Sequence, residues 1–150
     1  MAKLETNVAA DGIQEALRQL NKADLFTDEN LKKILTAGTD IMLDSVKSAF
    51  VEAGHHNPSR PRRTGETYRH ITKTRSVKKD KRGVPYMAIT INGKDSREQR
   101  YGIKGFVLNY GRRTGGKISG DYYWTQAVKK TWPRVDAAMA DAAAKILKGD

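Results

Sequence analysis

Apolar residues recur at helical spacing near both ends of the chain and at alternating spacing only in its middle. Ile13, Leu17 and Leu20 indicate a short helix from Asp11 to Leu20. A longer one follows. Thr27 is placed to cap it, and Asp28 and Glu29 put carboxylates on its positive end. Leu31, Ile34, Leu35, Gly38, Ile41, Met42, Ser45, Ala49 and Ala53 then form one stripe, and Gly54 is placed to end the helix after about seven turns.

His55 to Arg63 holds two prolines and three arginines and no apolar residue, which predicts a loop. Beyond it, Ile71, Lys73, Arg75 and Val77 alternate loosely, Lys78 to Gly83 is a charged turn, and Met87, Ile89 and Ile91 alternate again. An antiparallel hairpin is the economical reading. From Ser96 to Gly111, Ile103, Phe106, Val107 and Tyr110 fall at helical spacing, with Ser96 and Gln99 as a capping box and Gly111 at the C-terminus, so a helix is predicted. Gly102 and Gly105 inside it each cost about 1 kcal/mol relative to Ala, which suggests a close neighbour. After the Gly-rich turn from Gly111 to Gly120, Asp121 is placed to cap a last helix carrying Trp124, Val128, Val135, Met139, Ala142 and Ile146, with a kink or break expected near Trp132 because of Pro133. These elements give an α+β fold: a long N-terminal and a C-terminal helix packed on a small antiparallel β-sheet, with a basic loop-rich middle. Residues 1–10 are expected to be flexible and residues 55–68 and 111–120 to be loops.

Composition narrows the class. With 150 residues the chain suits one domain with its own core, yet 38% hydrophobic against 30% charged residues is low for a compact monomer and leaves room for burial on assembly. No apolar run of about 18 residues is present to span a membrane. The segment Met1-Ala2-Lys3-Leu4-Glu5 lacks the apolar stretch of a secretory signal, so the protein is expected to work where it is made. Absence of cysteine removes disulfides, thiolate zinc sites and cysteine nucleophiles. The net charge of +11 is concentrated: 17 Lys and Arg against 4 Asp and Glu lie between His55 and Ile118. Such a block either meets an acidic partner or stays solvated.

Few residues offer chemistry. Gly111-Arg112-Arg113-Thr114-Gly115-Gly116-Lys117 satisfies G-x-x-x-x-G-K, but Ile118 stands where a magnesium-ligating Ser or Thr is needed, and no series of parallel strands is available to carry a nucleotide loop. His55 and His56 are adjacent and diverge, and His70 lies on the expected strand, so solvated histidines are expected rather than a metal site. Carboxylates cluster in the N-terminal helices as capping and surface groups, and nothing argues for an enzyme or a cofactor. Nucleic-acid binding is the competing use of the basic block, because Tyr68, Tyr86, Tyr101, Tyr110, Tyr122 and Tyr123 are interleaved with it; no basic recognition helix or RNA-binding sheet motif accompanies them.

A long N-terminal helix, then Arg63-Thr64-Gly65-Glu66-Thr67-Tyr68-Arg69-His70-Ile71, a hairpin, Phe106-Val107-Leu108-Asn109-Tyr110-Gly111 and Tyr122-Tyr123-Trp124-Thr125-Gln126-Ala127 follow one another. Over most of the chain this order resembles the small tail-completion or neck (head-tail joining) proteins of long-tailed bacteriophages. Thr64-Gly65 and Tyr110-Gly111 match the family's motifs, whereas Asn109 stands where an acidic residue is common and Thr67 where a larger apolar one is. The resemblance implies a non-enzymatic virion protein, present in host cytoplasm during assembly. It would form a hexameric ring at the head-proximal end of the tail, between the tail terminator or tail tube and the head connector. DNA would pass through the lumen with non-specific contact at most, and no membrane is involved. Within that reading Arg112, Arg113 and Lys117 are the first candidates for partner contact, and Arg60, Arg62 and Arg63 in the loop from His55 to Arg63 the second. A small basic nucleic-acid-binding protein is the alternative.

Overall fold

A computed structural model describes residues 4–56, 66–114 and 116–149. In chain order the elements are β1 (Glu5–Ala9), a 3-10 turn (Ala10–Ile13), α1 (Gln14–Lys22), α2 (Asp28–Glu52), α3 (Glu66–Arg69), β2 (Ile71–Lys73), β3 (Lys78–Lys79), β4 (Pro85–Ile91), α4 (Tyr101–Tyr110), β5 (Gly111–Arg112), β6 (Ile118–Ser119) and α5 (Tyr123–Leu147). The fold is α+β, with long helices towards both ends and a small antiparallel sheet.

Strand β4 is the centre of that sheet. β1 pairs along one side, Val8 opposite Met87, while β2 and β3 pair along the other, Ile71 opposite Ile91 and Lys78 opposite Tyr86. The expected hairpin is therefore present, but its partner β1 corrects the expectation of flexibility for residues 5–9; residues 1–3 of the expected flexible stretch lie outside the described residues. Leu4, Thr6 and Val8 alternate into the core, and the Trp124 indole N–H donates to Thr6 Oγ1 at 2.7 Å. Burial of this face and five residues of strand pairing outweigh the entropy of ordering so short a segment.

Helix α2 is capped as read: Thr27 Oγ1 accepts from the Asn30 N–H at 3.1 Å. Its buried positions begin on the expected stripe and then depart from it. Leu31, Ile34, Leu35, Gly38 and Met42 are buried, but so are Val46 and Phe50, while Ser45 and Ala49 are half-buried and Ala53 is exposed. The cause is that α2 is enclosed on two sides, by the sheet and by α5. The two helices run antiparallel. Ser45 and Thr131 share a hydroxyl hydrogen bond, and Phe50 meets Tyr123 edge-on at 5.5 Å. A Cβ on Gly38 would lie 2.7 Å from Met139 Cγ, so glycine there lets Met139 and Val135 of α5 pack directly against the α2 backbone.

Helix α5 runs through Pro133 without the expected break. Pro133 is exposed, so its missing N–H and ring lie on the solvent side, and the packing of Thr131, Val135 and Met139 continues on either side of it. The expected capping box of α4 is also corrected. The helix begins at Tyr101, and residues 95–100 form a turn organised by Asp95, whose Oδ1 accepts from the N–H groups of Arg97 (2.8 Å) and Gln99 (2.9 Å). The expected loop from 55 to 68 contains the first residues of α3, and the one from 111 to 120 is closed by the β5–β6 pairing.

Candidate assembly surface

The sequence reading places Ile103, Phe106, Val107 and Tyr110 on one stripe of α4, where a lone helix would turn them inward. The structure confirms the helix and reverses its face. Tyr101, Gly105 and Asn109 are buried; Ile103 and Tyr110 are 42% and 45% exposed, and Phe106 and Val107 are half-buried. Two inward residues decide this. A Cβ on Gly105 would lie 2.3 Å from Ile91 Cδ1 and 3.2 Å from the Tyr123 hydroxyl, so glycine lets α4 settle on β4 and α5, which is the close neighbour its position suggested. The Tyr123 hydroxyl donates to the Gly105 carbonyl at 3.1 Å. Burial, and secondarily the nearby Asp121 carboxylate, pushes that phenol well above the usual tyrosine range, so it stays protonated and able to donate.

Asn109 is the second. Its Oδ1 accepts from the N–H groups of Trp124 (2.9 Å) and Thr125 (3.2 Å), and its Nδ2 donates to Thr125 Oγ1 at 3.0 Å. A residue at the end of α4 thus caps the start of α5 from another element. The expected cap, Asp121, supplies the remaining bond by accepting from the Tyr123 N–H at 3.0 Å.

Tyr122 lies between those two caps at φ 56 and ψ 30, an uncommon conformation for an aromatic residue. Backbone bonds hold it there: its N–H reaches the Asn109 carbonyl at 2.9 Å and the Asp121 N–H reaches that of Leu108 at 3.2 Å. The ring consequently points outward, 48% exposed and edge-on to Tyr110 at 6.0 Å, while Tyr110 packs on Phe106 at 4.7 Å. The segments Phe106–Gly111 and Tyr122–Ala127, separate in the sequence, therefore build one outward-facing aromatic row.

Beside this row stands the β5–β6 hairpin with Arg112, Arg113 and Lys117, all exposed. Arg112 Nε donates to the Gly116 carbonyl at 2.9 Å, which draws its guanidinium back along the hairpin. Between Arg100 and Gly120 the chain has five Lys and Arg and no Asp or Glu. Three of the six predicted contact residues thus adjoin the aromatic row; Arg60, Arg62 and Arg63 lie outside the described residues. The same hairpin geometry disposes of the G-x-x-x-x-G-K match, since a nucleotide loop joins a strand to a helix, and here the segment joins β5 to β6.

The histidines are corrected too. His55 is buried against Phe50 and Tyr123, with Nε2 2.6 Å from Asp121 Oδ2; His56 stacks on Tyr68 at 5.0 Å and His70 on Tyr101 at 4.2 Å. They are packing residues that tie the end of α2 to the start of α5 and α3 to α4. Among the described residues no group of three His, Cys, Asp or Glu is placed to hold a metal ion, and no helix is long and apolar enough to cross a membrane. An open groove of about 800 Å³ between α2 and α5 carries Asp44 and Glu52 on one wall and Lys130 and Arg134 on the other.

Sequence reasoning missed the exposure of the row because periodicity reports that a helix has an apolar face, and the direction of that face is set by partners distant in sequence. The signals available were Gly105 and Asn109, small or polar residues at one spacing on the opposite face. Comparison of the chain with family models, curated proteins and solved structures gave no match.

Proposed function

We propose that this chain is a structural part of a bacteriophage neck, a tail-completion or head-tail joining protein that assembles as a ring at the head-proximal end of the tail. The observation that carries the reading is the outward apolar stripe of α4. The two motifs that resemble the phage proteins, Phe106–Gly111 and Tyr122–Ala127, converge on it, and their residues serve partly in folding (Asn109, Tyr123, Trp124) and partly in an exposed aromatic pair, Tyr110 and Tyr122, backed by the half-buried Phe106 and edged by Arg112. Exposed aromatic residues with arginine beside them are the composition of protein interfaces, where burial of the rings drives association and the charges orient it. A chain low in apolar residues gains in assembly the burial that one copy lacks.

The test is electron microscopy of the purified protein alone and with its neck partners. Closed rings support the reading, a hexamer being the expected form; a chain that stays monomeric with those partners present counts against it.

A second reading has one observation in its favour: Tyr110 and Tyr122 beside three exposed cations would also suit stacking on bases and neutralising phosphates. It requires binding to duplex or single-stranded DNA that weakens steeply as salt rises, and no binding at low salt removes it.

A further inference from the structure

The aromatic row on α4 has a counterpart of opposite charge at the other end of the molecule. Phe26, in the turn between α1 and α2, is 42% exposed. No helical stripe includes it. Asp24, Asp28 and Glu29 flank it and are all exposed; Glu29 reaches Lys33 at 3.5 Å, while Asp24 and Asp28 have no ion-pair partner among the described residues. Three carboxylates against the single exposed Lys22 thus surround this apolar site from residue 22 to 29, with Lys32 and Lys33 a turn further along α2, and the other site, Ile103, Tyr110 and Tyr122, is set beside Arg112, Arg113 and Lys117.

These sites cannot meet within one copy. Tyr122 precedes α5, whose first residue packs on Phe50 near the C-terminal end of α2, and Phe26 lies just before the N-terminal end of the same helix. A helix of 25 residues separates them, about 37 Å at 1.5 Å per residue.

We propose that the Phe26 turn of one copy docks on the α4 and β5–β6 face of the next, with Phe26 against Tyr110 and Tyr122 and with Asp24 and Asp28 facing Arg112 and Arg113. The proposal rests on the ring reading above and supplies its contact. Donor and acceptor are different surfaces at opposite ends, so the contact is heterologous: it passes from copy to copy head to tail and makes a ring when the rotation closes. An aromatic anchor set among aromatic and arginine neighbours supplies the affinity, and the charges at its rim set orientation and salt sensitivity.

Because the chain has no cysteine, two single-cysteine variants test this directly. Glu29→Cys and Thr114→Cys, both at exposed positions, are mixed at high concentration and oxidised. Disulfide-linked dimers are expected from the mixture, in clear excess over either variant alone. Adding Phe26→Ala to the Glu29→Cys chain should cut the yield roughly tenfold or more, as loss of an anchoring aromatic does. Arg112→Glu with Arg113→Glu on the Thr114→Cys chain should also abolish it, and Asp24→Lys with Asp28→Lys on the other chain should restore it. No cross-link in the mixture overturns the proposal, as does an equal yield from one variant by itself, which would mean a two-fold contact. It is likewise overturned if charge reversal is not rescued, or if the mixture stays unlinked while duplex DNA binds and Tyr110→Ala removes that binding, which would assign the face to nucleic acid. Cross-linking that succeeds for a chain dispensable to phage particles would retain the contact and reject the neck role, so the two claims fail separately.

Discussion

Asn109 makes three hydrogen bonds to the first turn of α5, and each needs a polar side chain of its length. Asn109→Ala leaves the buried Trp124 N–H and the partly buried Thr125 N–H without an acceptor and should cost about 1–3 kcal/mol, read from urea unfolding. Asn109→Asp keeps the acceptor, places a carboxylate on the positive end of α5, and lets the Thr125 hydroxyl turn to donate. It should stay within about 1 kcal/mol of the parent at neutral pH. Tyr122 makes the converse case, since its left-handed backbone costs about 1–2 kcal/mol for a residue with a Cβ. Tyr122→Gly removes that strain and the exposed ring together. The monomer should therefore melt within a few degrees of the parent, while assembly with neighbouring copies weakens; a large loss of thermal stability would mean that Tyr122 is a folding residue and not a contact.

At the scale of elements, what was legible in the sequence depended on how local its cause is. The start and end of α2 were legible because Thr27 and Gly54 act within one turn of themselves. The existence of α4 was legible and its orientation was not, because Gly105 and Asn109 answer to Ile91, Tyr123 and Thr125. Strand β1 was hidden for the same reason: its pattern is three residues long, and its partner β4 begins about eighty residues later. Close packing of α2 on α5 is testable at Gly38. Gly38→Val forces methyl groups into Met139 and Val135 and should destabilise the fold by roughly 1–3 kcal/mol, measured by chemical unfolding. The connecting turns give a pH dependence. A hydrogen bond from the Val84 N–H, with help from Arg82, holds the Asp80 carboxyl below its ordinary range, and the Lys104 ammonium, then the Gln99 N–H, does the same for Asp95. Since the folded values are depressed, this stabilisation is fully present above the ordinary aspartate value of about 4 and is lost as pH falls through the folded values. Hydrogen-exchange protection of the Arg82, Val84, Arg97 and Gln99 amides should therefore hold from pH 7 to about 5 and drop below about 4; protection unchanged at low pH would show that these carboxylates do not hold the turns.

Across the whole molecule the concentration of charge has a structural meaning that composition alone did not give. Among the described residues the basic middle of the chain is spread over α3, a sheet edge, the turn at Asp95, α4 and the β5–β6 hairpin, and the hairpin adjoins the exposed Tyr110 and Tyr122. Arg112, Arg113 and Lys117 are therefore proposed as contact residues for a reason beyond their charge: the ring packing next to them comes from α4 turning Tyr110 outward. The same body carries the Phe26 turn, with Asp24, Asp28 and Glu29, at the far end of α2, so the two-helix frame holds the two proposed contact surfaces apart. The central claim, the proposed neck role, is that this chain joins phage heads to phage tails. Negative-stain microscopy of phage particles assembled without this chain tests it most directly: the account predicts DNA-filled heads and finished tails lying separate on the grid, and intact virions would contradict it.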